Sequence, residues 1–244
     1  MASSSAAQRS GAPPTFRCIR PPPTANHAGD KPKLSGVVFD MDGTLTVPVI
    51  DFAEMRRRVG VGPTGDILDI IASWSPAEQE RARRVLAEVE DEAMERMKVM
   101  PGVPRVCELL DRAKVPRGLV TRNVIRSVNH FHDNHLEHPP FSPAFGRECG
   151  LPYKPDPGAL LHVCGIWGVD PRFAAMVGDS AKDDIVAGNR AGMTTILLDT
   201  HGRYDPDNMP DPEQVPTYYV TTMDAVGDVF ESDFDLCAPE VRPT

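Results

Sequence analysis

Short runs of apolar, β-branched residues alternate along the chain with longer stretches in which apolar positions recur every three or four residues. The first run, Leu34-Ser35-Gly36-Val37-Val38-Phe39-Asp40, is nearly continuous in apolar character, as expected of a parallel strand buried on both faces. Similar runs fall at 117–121, 173–178 and 194–198, and a weaker one at 218–221. Helical patterns lie between them. Asp156-Pro157 offers an N-cap and a Pro at the first helical position, ahead of Leu160, Leu161, Cys164 and Trp167. Residues 102–113 place Val106, Leu109 and Leu110 on one helical face. Strand alternating with helix predicts an α/β fold with a doubly wound, mostly parallel sheet.

One stretch breaks the alternation. Residues 46–100 carry no strand pattern. Asp51-Phe52-Ala53-Glu54 is a capping box that opens a helix ending near Gly60, and Ile67, Ile70, Ile71 and Trp74 mark a second apolar stripe. Ser75-Pro76-Ala77-Glu78 opens a longer helix whose apolar face uses Val85, Leu86, Val89, Ala93, Met97 and Met100. The expected organisation is an α/β core of residues 34–45 and 101–230, a helical cap of 46–100, and a polar tail of 231–244.

Residues 1–33 differ from the rest. They are rich in Ser, Ala and Pro, carry Arg9, Arg17 and Arg20, and hold no acid before Asp30. That composition suits an organellar transit peptide, with plastid ahead of mitochondrion or cytoplasm, or else a disordered tail. The remainder is acidic overall, with a formal net charge of −9 for the whole chain, which argues against nucleic acid and anionic membrane as partners. No apolar stretch approaches the roughly 20 residues that cross a bilayer. Five cysteines are scattered without a C-x-x-C spacing, so structural thiols in a reducing compartment are expected. The oligomeric state is not legible.

The candidate chemistry sits at strand ends. Asp40-Met41-Asp42-Gly43-Thr44 directly follows the first strand, where open α/β sheets bind ligands. Gly43 allows a sharp turn, so both carboxylates can face one pocket. Asp179, Asp183 and Asp184 follow the strand at 173–178. So many anions in one place raise one another's pKa values unless a cation intervenes, and an all-oxygen set selects Mg²⁺. Thr121, at another strand end, offers a hydroxyl and nearby backbone N–H groups to phosphate oxygens, and Lys154 offers a positive charge.

In this order the motifs resemble those of the haloacid-dehalogenase superfamily. They are Val37-Val38-Phe39-Asp40-Met41-Asp42-Gly43-Thr44-Leu45, Leu119-Val120-Thr121-Arg122-Asn123, Lys154-Pro155-Asp156-Pro157, and Met176-Val177-Gly178-Asp179-Ser180 running on to Ala191-Gly192-Met193. The match spans roughly residues 34–200, and the insert between the first two motifs is similar to that family's small helical C1-type cap, as in phosphoglycolate phosphatase-like members. The resemblance implies that Asp40 is the nucleophile, forming an aspartyl-phosphate, and that Asp42 is the acid and base. It implies a Mg²⁺ site from Asp40, Asp179, the Asp42 carbonyl and one of Asp183 and Asp184, where spacing favours Asp184. Thr121 and Lys154 would bind the transferring phosphoryl group. Because they directly follow Thr121, Arg122 is a further phosphate-binding candidate and Asn123 a substrate-contact candidate.

The implied activity is a Mg²⁺-dependent phosphatase acting on a small phosphorylated metabolite, phosphoglycolate-like or a sugar phosphate. A phosphomutase of the same fold, or a silent phosphometabolite-binding protein, are the alternatives. Asp42 speaks against the latter, because pure binding does not need it. Two other features read as surface. Arg56, Arg57 and Arg58 fan out around a helix, so at most one or two can face a pocket. His130, His132, His135 and His138 follow the second motif, but Pro139-Pro140 ends that helix before 132, 135 and 138 can align.

Overall fold

The computed structural model describes residues 15–24 and 30–240. In chain order the elements are β1 (Phe16–Cys18), β2 (Lys33–Leu34), β3 (Gly36–Phe39), α1 (Phe52–Val59), α2 (Ile67–Ala72) and α3 (Pro76–Glu95). They continue with α4 (Val103–Arg112), β4 (Arg117–Val120), α5 (Ile125–Asn134), β5 (Ala144–Phe145), α6 (Gly158–Trp167) and β6 (Ala174–Gly178). The last are α7 (Val186–Ala191), β7 (Thr194–Leu198), β8 (Tyr218–Val220), α8 (Met223–Asp233) and β9 (Asp235–Leu236).

Seven strands form one sheet in the order β1-β8-β7-β6-β3-β4-β5. All neighbours are parallel except β1, which pairs antiparallel with β8. The fold is thus the α/β, mostly parallel sheet that the alternating runs predict. Successive residues of a strand point to opposite faces, and here both faces are covered. Val37 and Phe39 of β3, with Ala175 and Val177 of β6, join a core shared with α4, α5 and α8. Val38 and Met176 turn the other way, to Leu160 and Val163 of α6 and Ala187 of α7. This two-sided burial is why the strands read as apolar runs.

The chain builds β3, β4 and β5 outward on one side, then returns to lay β6, β7 and β8 on the other. Strand order therefore reverses at β3 and β6. A crevice opens there beyond the carboxyl ends of the strands, the place where such sheets take ligands.

The cap is helical. Met55 and Val59 of α1, Ile71 of α2, and Ala82, Leu86 and Val89 of α3 form their own apolar cluster. Its two connections to the core are stitched together, Val47 N–H to the Lys98 carbonyl at 2.9 Å and Met100 N–H to the Leu45 carbonyl at 2.9 Å. Ser75 and Glu78 form the full capping box. At α1 only half forms: Asp51 accepts from the N–H groups of Ala53 and Glu54, while the Glu54 carboxylate turns to Arg57.

Several expectations need correcting. Helix α3 ends at Glu95, and Met97 and Met100 pack in the main core instead of extending the cap face. Pro157 occupies the N-cap position of α6, and it is Asp156, one residue earlier, whose carboxylate accepts the Gly158 N–H at 2.7 Å. Within the segment expected as leader or tail, Phe16–Cys18 is an edge strand. It is tied down by Arg17 on Asp207 at 2.7 Å and Thr15 on Asp228 at 2.7 Å. Residues 1–14 and 25–29 lie outside the described residues. The expected C-terminal tail likewise begins inside α8, and its Asp235–Leu236 pairs with Lys33–Leu34.

Candidate active site

Asp40 leaves the end of β3 with its N–H bonded to the Val177 carbonyl of β6 at 2.9 Å, so it stands at the switch point itself. The following turn is closed by three N–H groups, of Thr44, Leu45 and Thr46, on the Met41 carbonyl. Gly43 makes the turn possible: its φ is +80°, and a Cβ there would lie 2.5 Å from an Asp179 carboxylate oxygen. Across the crevice β6 ends in Gly178, where a Cβ would meet Asp184 at 2.2 Å. The glycines let two carboxylate-bearing segments close on one point.

What gathers there is Asp40, Asp179 and Asp184, with one oxygen from each all within 4.8 Å of one another. Lys154 reaches into the group. Its Nζ lies 2.6 Å from Asp40 Oδ1, 2.7 Å from Asp184 Oδ1 and 2.7 Å from the Val120 carbonyl. Lys154 and Asp184 are each 1% exposed. Burial pushes the Asp40 carboxyl up to about 6 against the pull of Lys154, with Asp179 adding to the rise. Burial does the same to Asp179, helped by Asp184 and opposed by Arg203, bringing it to about 6. Asp184 also rises to about 6, from burial, with Lys154 opposing. Burial works against the Lys154 ammonium, but Asp184 and Asp40 overcome it and hold its pKa above the ordinary lysine value.

One lysine therefore does not neutralise three buried carboxylates. An all-oxygen set of this charge and spacing is one that a hard divalent cation fits. This acidic cluster could hold a metal.

Asp42 stands apart from that cluster. Its carboxylate accepts from Asn123 Nδ2 at 2.9 Å, and burial raises its pKa, with Asn123 and Lys154 opposing. Thr121, at the end of β4, is held by its N–H on the Phe145 carbonyl at 3.0 Å, and its hydroxyl accepts the Asn123 N–H at 3.0 Å. Thr121 and Lys154 line one small cavity together with Arg147 and Tyr153.

Arg122 is placed differently from expectation. Its guanidinium is bound to Asp66 at the N-terminus of α2, lies 3.6 Å from Asp183 and stacks over the Tyr153 ring. It joins the core to the cap and not to the carboxylate cluster. Asp183 exchanges hydrogen bonds with the Ser180 hydroxyl, its N–H donating to Ser180 Oγ and its carboxylate accepting from it, and stays outside the three-carboxylate group.

The cap arginines face elsewhere. Arg56 donates to the carbonyls of Gly62, Thr64 and Gly65, Arg57 pairs with Glu54, and Arg58 with Glu88 and Glu92. Helix α5 ends at Asn134, and His132, His135 and His138 do not gather into one site; His135 instead sits 3.4 Å from His130, ring nitrogen to ring nitrogen, and His132 accepts the Phe141 N–H at 3.3 Å.

Four participants lie outside the sequence motifs: Arg203, Asp199, Glu90 and Arg147. Arg203 donates to the Asp179 carboxylate at 2.8 Å, and its N–H is fixed by the buried Asp199 at 2.9 Å. Asp199 ends β7 as Asp40 ends β3, a signal that could have flagged it; Arg203 has none. Glu90 of α3 pairs with Arg147 at 2.6 Å.

A doubly wound sheet whose switch point carries clustered carboxylates and a buried lysine under a helical cap defines a class of hydrolytic enzyme. The model of the haloacid dehalogenase-like hydrolases matches residues 34–192, and the chain belongs to that family. A haloacid dehalogenase-like hydrolase domain-containing protein of Arabidopsis thaliana is 46% identical over 217 residues, covering 84% of this chain and 87% of that protein. A phosphoglycolate phosphatase of Psychrobacter arcticus is 30% identical over 200 residues, covering 70% and 86%. Among solved structures, a family IA HAD hydrolase from Entamoeba histolytica has a TM-score of 0.61 at 17% identity, covering 80% of this chain and 98% of that one.

Proposed function

We propose that this hydrolase is a Mg²⁺-dependent phosphatase of small phosphorylated metabolites that works through a phospho-aspartate on Asp40. The observation that carries this reading is the convergence of Asp40, Asp179 and Asp184 with Lys154 at the switch point. The Asp40 carboxylate attacks phosphorus and the bond to the leaving alcohol breaks. Asp42, kept protonatable by its raised pKa and oriented by Asn123, gives its proton to the departing oxygen. Asp42 then takes a proton from the water that attacks the aspartyl-phosphate, releasing phosphate and freeing Asp40. Lys154 and the Thr121 hydroxyl stabilise the phosphoryl oxygens. A divalent cation held by the Asp40, Asp179 and Asp184 carboxylates and the Asp42 carbonyl would supply further charge neutralisation.

Phosphate release from p-nitrophenyl phosphate and a metabolite panel, with Mg²⁺ or with EDTA, tests this directly. Release that requires Mg²⁺ and falls about 10²–10⁴-fold in Asp42→Asn is expected. Binding of phosphorylated ligands without any release, with wild type and Asp42→Asn alike, would instead describe a binding protein.

The carboxylate cluster also sets a pH dependence. A carboxyl whose pKa rises from 3.8 to about 6 on folding stabilises the folded state fully below the lower value. That contribution is lost as pH rises through about 6, where the carboxylates repel and a cation is most needed. The rise in Tm on adding Mg²⁺ should therefore be small near pH 5 and clearly larger above pH 7. A shift independent of pH across that range would contradict the cation site.

For the N-terminus, we propose a plastid-directed leader that ends before Thr15, because Phe16–Cys18 pair with β8 and Thr15 and Arg17 are tied to Asp228 and Asp207. N-terminal sequencing of the protein isolated from its own cells checks it, and a first residue beyond Cys18 would contradict it.

A further inference from the structure

Three arginines border the reacting groups, and carboxylates already hold each of them, Arg203 being taken by Asp179 and Asp199. Arg147 lines the cavity that contains Thr121 and Lys154, and its guanidinium donates to Glu90 at 2.6 Å. Glu90 projects from cap helix α3 and is 5% exposed. The Arg147 N–H is bonded to the Asn123 carbonyl at 2.9 Å, and the Asn123 side chain holds Asp42. Arg122 is committed in the same way, to Asp66 and Asp183. The leaving group of a substrate would be protonated by Asp42, so it must lie beside the Glu90–Arg147 pair.

We propose that the substrate is a phosphate ester whose leaving group is uncharged and bears hydroxyls, and that Glu90 rejects esters carrying a second anion such as a carboxylate. This rests on the phosphatase reading. A carboxylate arriving there would have to share the Arg147 guanidinium, whose charge Glu90 already compensates through Nη1, and would face the buried Glu90 carboxylate. A hydroxyl asks for neither: it donates to Glu90 or accepts from Arg147 with the ion pair in place. The discrimination comes from a repulsive element, not from an added contact.

Matched esters separate the two classes. The full chain with Mg²⁺ is given 2-hydroxyethyl phosphate against 2-phosphoglycolate, and glycerol 1-phosphate against 3-phosphoglycerate. In each pair the neutral member should have the higher kcat/KM, by at least about tenfold. Glu90→Gln should narrow that ratio, chiefly by lowering KM for the carboxylated member. Asp91→Asn breaks another cap–core ion pair, to Arg126 at 2.6 Å, and should leave the ratio unchanged. Equal rates, preference for the anionic member, or a preference that survives Glu90→Gln would overturn the proposal. So would hydrolysis of p-nitrophenyl phosphate with neither pair accepted. No release from any ester, p-nitrophenyl phosphate included, would instead bring down the phosphatase reading.

Discussion

Asp40→Asn should lower kcat for phosphate release by about 10⁴-fold or more, close to the limit of detection. The amide is nearly isosteric and its oxygen can still accept from Lys154 Nζ, which lies 2.6 Å from Asp40 Oδ1. What it cannot do is attack phosphorus, and the covalent route ends there. The substitution also removes one of three crowded buried anions. The metal-free variant should therefore be at least as stable as wild type, a result that separates lost chemistry from lost folding. Parallel measurement of turnover and urea unfolding checks both halves. Substantial residual turnover in a folded variant would remove Asp40 from the nucleophile's role.

Lys154→Met should act on stability as well as activity. Asp40 and Asp184 each keep an oxygen within 2.7 Å of the Lys154 ammonium, and all three groups are nearly closed to water. Removing one partner of a buried ion pair leaves the other's charge uncompensated, at a cost of about 3–5 kcal/mol. The methionine stem replaces most of the lost packing, so the loss is electrostatic. It should shrink near pH 5, where the raised carboxyl pKa values of about 6 let Asp40 and Asp184 take up protons. Urea midpoints of the metal-free variant near pH 5 and pH 7.5 read this out. An equal loss at both pH values would mean that packing, not charge, is what Lys154 supplies.

The strands of the core were legible because each is buried on two faces and so reads as an apolar run, as in Val37, Val38 and Phe39. Asp40 and Asp179 were legible because they end such runs. The edge strand Phe16–Cys18 was not: its side chains are mostly exposed, and its place depends on backbone pairing with β8 across about 200 residues of chain. The two-residue strand Ala144–Phe145 is too short to carry a period. Met97 and Met100 continued the spacing of α3, but the helix stops at Glu95 and the core takes both side chains. At the site, long side chains escaped prediction. Arg203 and Arg147 find their partners only through tertiary contact, and Arg122 turns toward Asp66 because the cap delivers a carboxylate to it.

The central claim is a phosphoryl group carried on Asp40. Wild-type protein mixed with substrate and Mg²⁺, quenched in acid within one turnover and digested, would be examined by mass spectrometry. One added phosphoryl group is expected on the peptide containing Asp40, absent from Asp40→Asn. Rapid turnover with that peptide never modified, or with the label on another residue, would contradict it.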